Sequence, residues 1–217
     1  MLFFQTLCFA IFAILARNQQ KNKVFMSTQP KHFYTLEEYF EVVKSSEEKY
    51  EYWNGQVFLM SGGSEQHTLI ADNVLTSLKI QLRGRQCRAM SGDTAILVPS
   101  APPFRYADGL VVCGQLHFEN ISGVAALTNP ILIVEVLSPN SQNYDRGAKF
   151  TFYQSITSFS EYLLVEQNQP RIVHYVKEND DTWTPNEIIG IESNLVLPSI
   201  DCTLALSDAY QDVIFPT

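Results

Sequence analysis

The hydrophobic and polar positions of this chain change period several times, and each change marks an element. Thr35-Leu36-Glu37-Glu38 reads as a capping box, in which the Thr35 hydroxyl accepts from the Glu38 amide and the Glu38 carboxylate reaches back. Tyr34 and Tyr39 stand where a hydrophobic staple sits, so a helix is expected from Leu36 to about Lys44. Two β-prone runs, 50–53 and 56–60, are joined by Asn54-Gly55, the pair that best supplies the positive φ angles of a tight hairpin. Ser64 caps a second helix, along which Ile70, Val74, Leu78 and Leu82 recur at every fourth position, and Gly84 follows its end.

From Cys87 the texture becomes that of strands. Thr94 to Val98 reads as one strand, stopped by Pro99, and Tyr106 to Cys113 as another, opened by Asp108 and broken by Gly109. Gly114 to Asn129 reads as a polar loop. Ile131 to Leu137 is a nearly continuous apolar run, as in strands covered on both faces. Asp145 to Ile156 is an expected helix with Phe152, Tyr153 and Ile156 on one face; 161–166 and 171–177 are expected strands; Ile188 to Ile214 carries weaker β signals. This order predicts an α/β (α+β) fold: a mixed sheet flanked by helices, with an N-terminal helix and hairpin, in a single domain over 32–214.

The first 25 residues stand apart. Leu2 to Ala16 is almost wholly apolar but short for a membrane span, which takes about 20 residues, and it lacks the charge order of a secretory signal. Met26 opens a polar stretch leading into the first helix, so translation is expected to start there; a signal anchor is the alternative. The four cysteines, Cys8, Cys87, Cys113 and Cys202, form no C-x-x-C, which argues against a zinc ribbon or disulfide framework and for a reducing, cytoplasmic setting. A formal charge of -8 counts against tight non-specific binding of nucleic acid through a basic face. It leaves room for an enzyme whose positive charge is supplied locally by a metal ion.

Glu135 is the only polar side chain in the 131–137 run. An ionised carboxylate removed from water costs several kcal/mol unless it is paired or binds a metal. Either a basic partner or a metal role accounts for it. Asp108 alone reads as a turn aspartate, but with Glu135 on the next strand the two carboxylates can meet at one sheet edge, where a hard dication relieves their repulsion. Lys149 lies in the helix after the Glu135 strand and is either a solvated lysine or a group that stabilises charge on a phosphoryl centre. Glu51, between Tyr50 and Tyr52, and His67, early in the second helix, are weaker candidates; Asp93 reads as a turn residue. No G-x-S-x-G, H-E-x-x-H, P-loop or G-x-G-x-x-G motif occurs, and His32, His67, His117 and His174 lack zinc-like spacing.

Several stretches together resemble the Uma-type family of bacterial restriction-endonuclease-like proteins, which have the PD-(D/E)XK nuclease fold. They are Glu51-Tyr52-Trp53-Asn54-Gly55, Met60 to His67, Tyr106-Ala107-Asp108, Ile133 to Pro139, Tyr144 to Phe150, and Glu161 to Val165. The resemblance covers roughly His32 to Ile214. It implies that Asp108 and Glu135 bind Mg²⁺ (or Mn²⁺), that Lys149 stands in for the motif lysine because Leu137 occupies the usual position, and that Glu51 and His67 belong to the site. Ala107 and Gly109 depart from the family pattern, and the glycine is expected to loosen the strand beside Asp108. The expected function is a Mg²⁺-dependent endonuclease acting on DNA, with a homodimer suited to cutting two strands. The alternative is a catalytically weakened module that binds nucleic acid or protein.

Overall fold

The structure is a computed structural model that describes residues 32–60 and 62–216; the apolar leader and the Met26 start lie outside the described residues. Residues 34–217 form one compact unit. Its elements are α1 (Leu36–Lys44), β1 (Tyr50–Trp53), β2 (Gln56–Leu59), α2 (Glu65–Gln81), β3 (Cys87–Ser91), β4 (Ala95–Ile96), β5 (Arg105–Tyr106), β6 (Gly109–Cys113), β7 (Phe118–Ile121), β8 (Val124–Leu127) and β9 (Leu132–Leu137). There follow α3 (Gln142–Tyr144), a π-helical turn (Asp145–Lys149), α4 (Phe150–Tyr153), β10 (Glu161–Glu166), β11 (Arg171–Lys177), β12 (Trp183–Ile189), β13 (Asn194–Leu197), β14 (Cys202–Ala205) and α5 (Leu206–Ala209).

The capping box of α1 forms as expected, with both Thr35–Glu38 hydrogen bonds present. Asn54 and Gly55 adopt φ of 48° and 73°, closing the β1–β2 hairpin. The main sheet has six strands in the order β12-β11-β10-β9-β6-β3. Only β9 and β10 run parallel; the other pairs are antiparallel, so the sheet is mixed. A parallel pair needs a crossover, and the α3–π–α4 segment supplies it.

Both faces of β9 are buried. Leu132, Val134 and Val136 pack with Ile70, Val74 and Leu78 of α2. Ile133 and Leu137 pack with Phe150 and Tyr153 of the crossover. Side chains alternate along a strand, so Glu135 shares the crossover face. A second sheet, β5-β4-β8-β7, and the β1–β2 hairpin meet α1 around Tyr39 and Phe104.

Six expectations are corrected. The polar stretch 114–129 is a hairpin, β7–β8, turned by Ser122 and Gly123 with positive φ. The 94–98 strand shrinks to Ala95–Ile96, which pairs on both sides; Tyr106–Cys113 splits into β5 and β6, with Asp108 in the break. The crossover helix starts at Gln142, ends at Tyr153 and contains the π turn. Cys87 and Cys113 are joined by a disulfide, because β3 and β6 pair in a register that sets these residues directly opposite. Gly109 is not loose: it pairs with Ser91 and Val134, and a Cβ there would meet Leu75 Cδ2 at 2.7 Å, so α2 sits close over it. Among the described residues no helix is long and apolar enough to cross a membrane.

Candidate active site

The β6–β9 register pairs Gly109 with Val134, and the Asp108 amide donates to the Val134 carbonyl at 3.1 Å. Continuing that antiparallel register by one residue sets Asp108 opposite Glu135. Asp108 is then fixed from two directions: Oδ2 accepts the Val136 amide at 2.7 Å, and Oδ1 faces His67 Nε2 at 2.9 Å. Gly92 lets the β3–β4 turn approach from below, since a Cβ there would lie 2.6 Å from the Ala107 carbonyl oxygen.

Glu135 is 3% exposed. Its Oε1 receives Lys149 Nζ at 2.7 Å and the Tyr153 hydroxyl at 3.1 Å. Glu135 lines a cavity of about 710 Å³. Asp145, Lys149 and Tyr153 are spaced by four, so one face of the crossover carries all three, with Asp145 Oδ1 3.5 Å from Lys149 Nζ. The π turn between Asp145 and Lys149 adjusts how that face meets β9. From the hairpin, Glu51 accepts the Tyr106 amide at 2.7 Å and lies 3.9 Å from the Arg105 guanidinium. Arg105, almost fully buried, also donates to the Tyr144 hydroxyl.

The structure therefore brings Glu51, His67, Asp108, Glu135 and Lys149 to one cavity. Asp145, Tyr153, Tyr144, Arg105 and Gln167 also reach the site or its supports and were not singled out from sequence. The four-residue spacing from Asp145 to Tyr153 was the available signal.

Electrostatics follow from burial. Desolvation holds the Glu135 carboxyl well above its ordinary range, against the pull of Lys149. For Lys149, burial opposes the charge, but Glu135, Glu51 and Asp145 outweigh it, so the ammonium persists and is no free base at neutral pH. Burial also opposes charging His67, yet the Asp108 hydrogen bond and charge raise its pKa above the ordinary value. Four carboxylates, Glu51, Asp108, Glu135 and Asp145, thus surround one buried lysine and one histidine.

That gathering of carboxyl groups around one cavity fits a hard dication. No group of three or more His, Cys, Asp or Glu side chains converges to cage an ion among the described residues. Two carboxylates with waters are the donor set that Mg²⁺ takes, unlike the four ligands of structural zinc.

A crystal structure from Anabaena variabilis, described as "a putative nuclease belonging to DUF820", superposes with a TM-score of 0.64 at 14% identity, covering 81% of this chain and 98% of that one, and so shares the fold. Two uncharacterized proteins of Synechocystis, sll1609 and slr1290, are 31% and 32% identical to it. They cover 72% and 82% of this chain, and 88% and 92% of their own lengths. The profile of the Uma2 family, described as "Putative restriction endonuclease", matches residues 36–207, and the chain belongs to that family.

Proposed function

We propose that the cavity is the centre of a Mg²⁺-dependent endonuclease that hydrolyses DNA phosphodiester bonds. The observation that carries this reading is Glu135: a carboxylate almost wholly buried, lining one cavity with Asp108 and held at one oxygen by Lys149 and Tyr153. Asp108 and Glu135 would hold the ion. Mg²⁺ (or Mn²⁺), when bound, polarises the phosphate and lowers the pKa of a water.

The chain's own groups do the rest. His67 and the Val136 amide hold Asp108 in one orientation. Tyr153 and Lys149 hold Glu135, and Glu135, Glu51 and Asp145 together keep Lys149 charged against its burial. Lys149 is then a fixed cation beside the point where negative charge develops on the phosphoryl oxygens. Glu51 adds negative field and braces the Tyr106 strand that leads into Asp108. All these groups come from one chain, so cutting a single strand does not require the homodimer that two-strand cutting suits.

A plasmid-nicking assay with Mg²⁺ tests the reading. Wild type should nick, and Glu135→Ala and Asp108→Ala should not; equal activity in all three refutes the assignment. The second reading, a silent binding module, is favoured by one observation: Glu135 already has its counter-charge in Lys149. Calorimetric titration separates the two, since absence of Mg²⁺ or Mn²⁺ binding at about millimolar concentration, the weak end of carboxylate sites, supports the silent module.

A further inference from the structure

The β1–β2 hairpin does two things with one face. Its register sets Glu51 directly opposite Phe58, and Trp53 lies two residues along from Glu51 on the same side. Glu51 is buried in the candidate centre, while Phe58 and Trp53 are 41% and 42% exposed and line the same cavity. The hairpin's opposite face, with Tyr50, Tyr52 and Val57, packs against the Tyr39 cluster, so core packing accounts for those side chains. It does not account for Phe58 and Trp53. The Trp53 ring lies 5.6 Å from Tyr144, whose ring in turn lies 5.8 Å from Lys149 Nζ. An aromatic wall thus runs from the hairpin surface to the buried lysine.

Charge at this cavity does not suit a duplex. Its lining lysines are Lys49 and Lys149, and its histidine, His67, is paired with Asp108, against Glu51, Asp108, Glu135 and Asp145. Lys49 is held by Asp93 at 2.9 Å, and Lys149 by Glu135 at 2.7 Å. Duplex binding rests on several Lys or Arg side chains neutralising successive phosphates. A nucleobase is neutral and planar, and it stacks on an aromatic ring whatever its identity. Glu135 and Lys149 are also recessed, 3% and 4% exposed, so the reacting strand has to enter the cavity. A strand free of its complement can do so, whereas a paired one must first be splayed.

We propose that the substrate of this site is DNA with unpaired bases, and that Trp53 and Phe58 are the platform on which those bases stack. The proposal rests on the endonuclease reading for the reaction, and it adds the class of strand. Trp53 and Phe58 are specificity-determining residues in this assignment and take no part in bond breaking.

The test uses the full-length chain and a fluorescein-labelled oligonucleotide, as a single strand and as a blunt duplex, with Ca²⁺ in place of Mg²⁺ and the DNA checked intact afterwards. Anisotropy should show the single strand bound at least tenfold more tightly than the duplex. Trp53→Ala and Phe58→Ala should each weaken single-strand binding on the order of tenfold, with duplex binding unchanged and Phe58→Tyr restoring the wild-type value. The single strand should also quench tryptophan fluorescence in wild type and much less in Trp53→Phe, because Trp183, the other of the two tryptophans, packs against Phe150 and Phe159. Equal or tighter binding of the duplex overturns the proposal, and so do alanine variants that bind like wild type. Mg²⁺-dependent cleavage of both substrates is followed in parallel. Cleavage that needs Glu135 but shows no strand preference sinks this inference alone. Single-strand stacking without cleavage keeps the platform and removes the endonuclease reading.

Discussion

Lys149 Nζ sits 2.7 Å from Glu135 Oε1, and both side chains are only 4% exposed. Each therefore compensates a charge that the other would leave stranded. Lys149→Met is expected to cost about 3–5 kcal/mol at neutral pH, as for a buried pair that loses one partner. The cost depends on pH. Burial raises the Glu135 pKa above its ordinary 4.5, and loss of the lysine raises it further. A raised carboxylate keeps its full stability below the unfolded value and loses it as pH rises through the folded one. The deficit of the variant should thus be smallest in acid, where Glu135 is protonated in both proteins, and grow as pH rises through the raised wild-type value, as read by urea denaturation. A deficit independent of pH would contradict the pairing. Glu135→Leu combined with Lys149→Met should recover much of the loss.

His67 carries the opposite partner of the site, Asp108, at 2.9 Å. Its pKa is raised in the fold from an ordinary 6.5: burial works against the charge, and the Asp108 hydrogen bond and charge prevail. The stability it contributes is then fully present below pH 6.5 and lost as pH rises through the folded value. In paired denaturation series, His67→Gln should lack this decline above pH 6.5. Parallel profiles for the two proteins would show that the pair does not titrate as described.

Gly109 and Leu75 form a matched contact between β6 and α2. A Cβ on Gly109 would meet Leu75 Cδ2 at 2.7 Å, the end of a buried but rotatable side chain. Gly109→Ala is expected to cost about 1 kcal/mol and Gly109→Val up to about 3 kcal/mol. Leu75→Ala in the Gly109→Ala background should show coupling, the double loss being smaller than the sum. Strict additivity would remove the contact as the explanation.

Gly92 is different, because its Cβ would meet backbone: the Ala107 carbonyl oxygen at 2.6 Å. That backbone carries Asp108, so Gly92→Ala should displace the carboxylate. A misplacement of about 1 Å can lower catalysis on the order of a hundredfold. The expected result is therefore a loss of nicking out of proportion to the change in melting temperature. A variant that is destabilised yet cleaves normally when folded would show that the turn does not position Asp108.

The parts of the fold that were legible in the sequence were those set by local chemistry. The α1 capping box and the Asn54-Gly55 hairpin each specify their own backbone within a few residues, and both formed within expected bounds. Glu135 was legible because a charge in an apolar strand has a burial cost that must be met somewhere. Lys149 and Tyr153 meet it, one by ion pair and one by hydrogen bond. What escaped depends on pairing between distant residues. Cys87 and Cys113 are 26 residues apart, and only the β3–β6 register brings them together. The β7–β8 hairpin escaped because Phe118-Glu119-Asn120-Ile121 is mostly exposed and polar, although Ser122-Gly123 was a usable turn signal. Asp145 and Tyr153 were hidden by reading their helix for its apolar face alone.

In the proposed function Glu135, with Asp108, directs metal-dependent cleavage. The most direct measurement is a single-turnover time course on a labelled single-stranded oligonucleotide with excess protein, comparing wild type with Glu135→Gln, in Mg²⁺ and in EDTA. Cleavage by wild type is expected in Mg²⁺ only, with a rate lower by a factor on the order of a thousand in Glu135→Gln, comparable to loss of one charge-stabilising group. Equal rates for the two proteins in Mg²⁺, or cleavage that persists in EDTA, would contradict it.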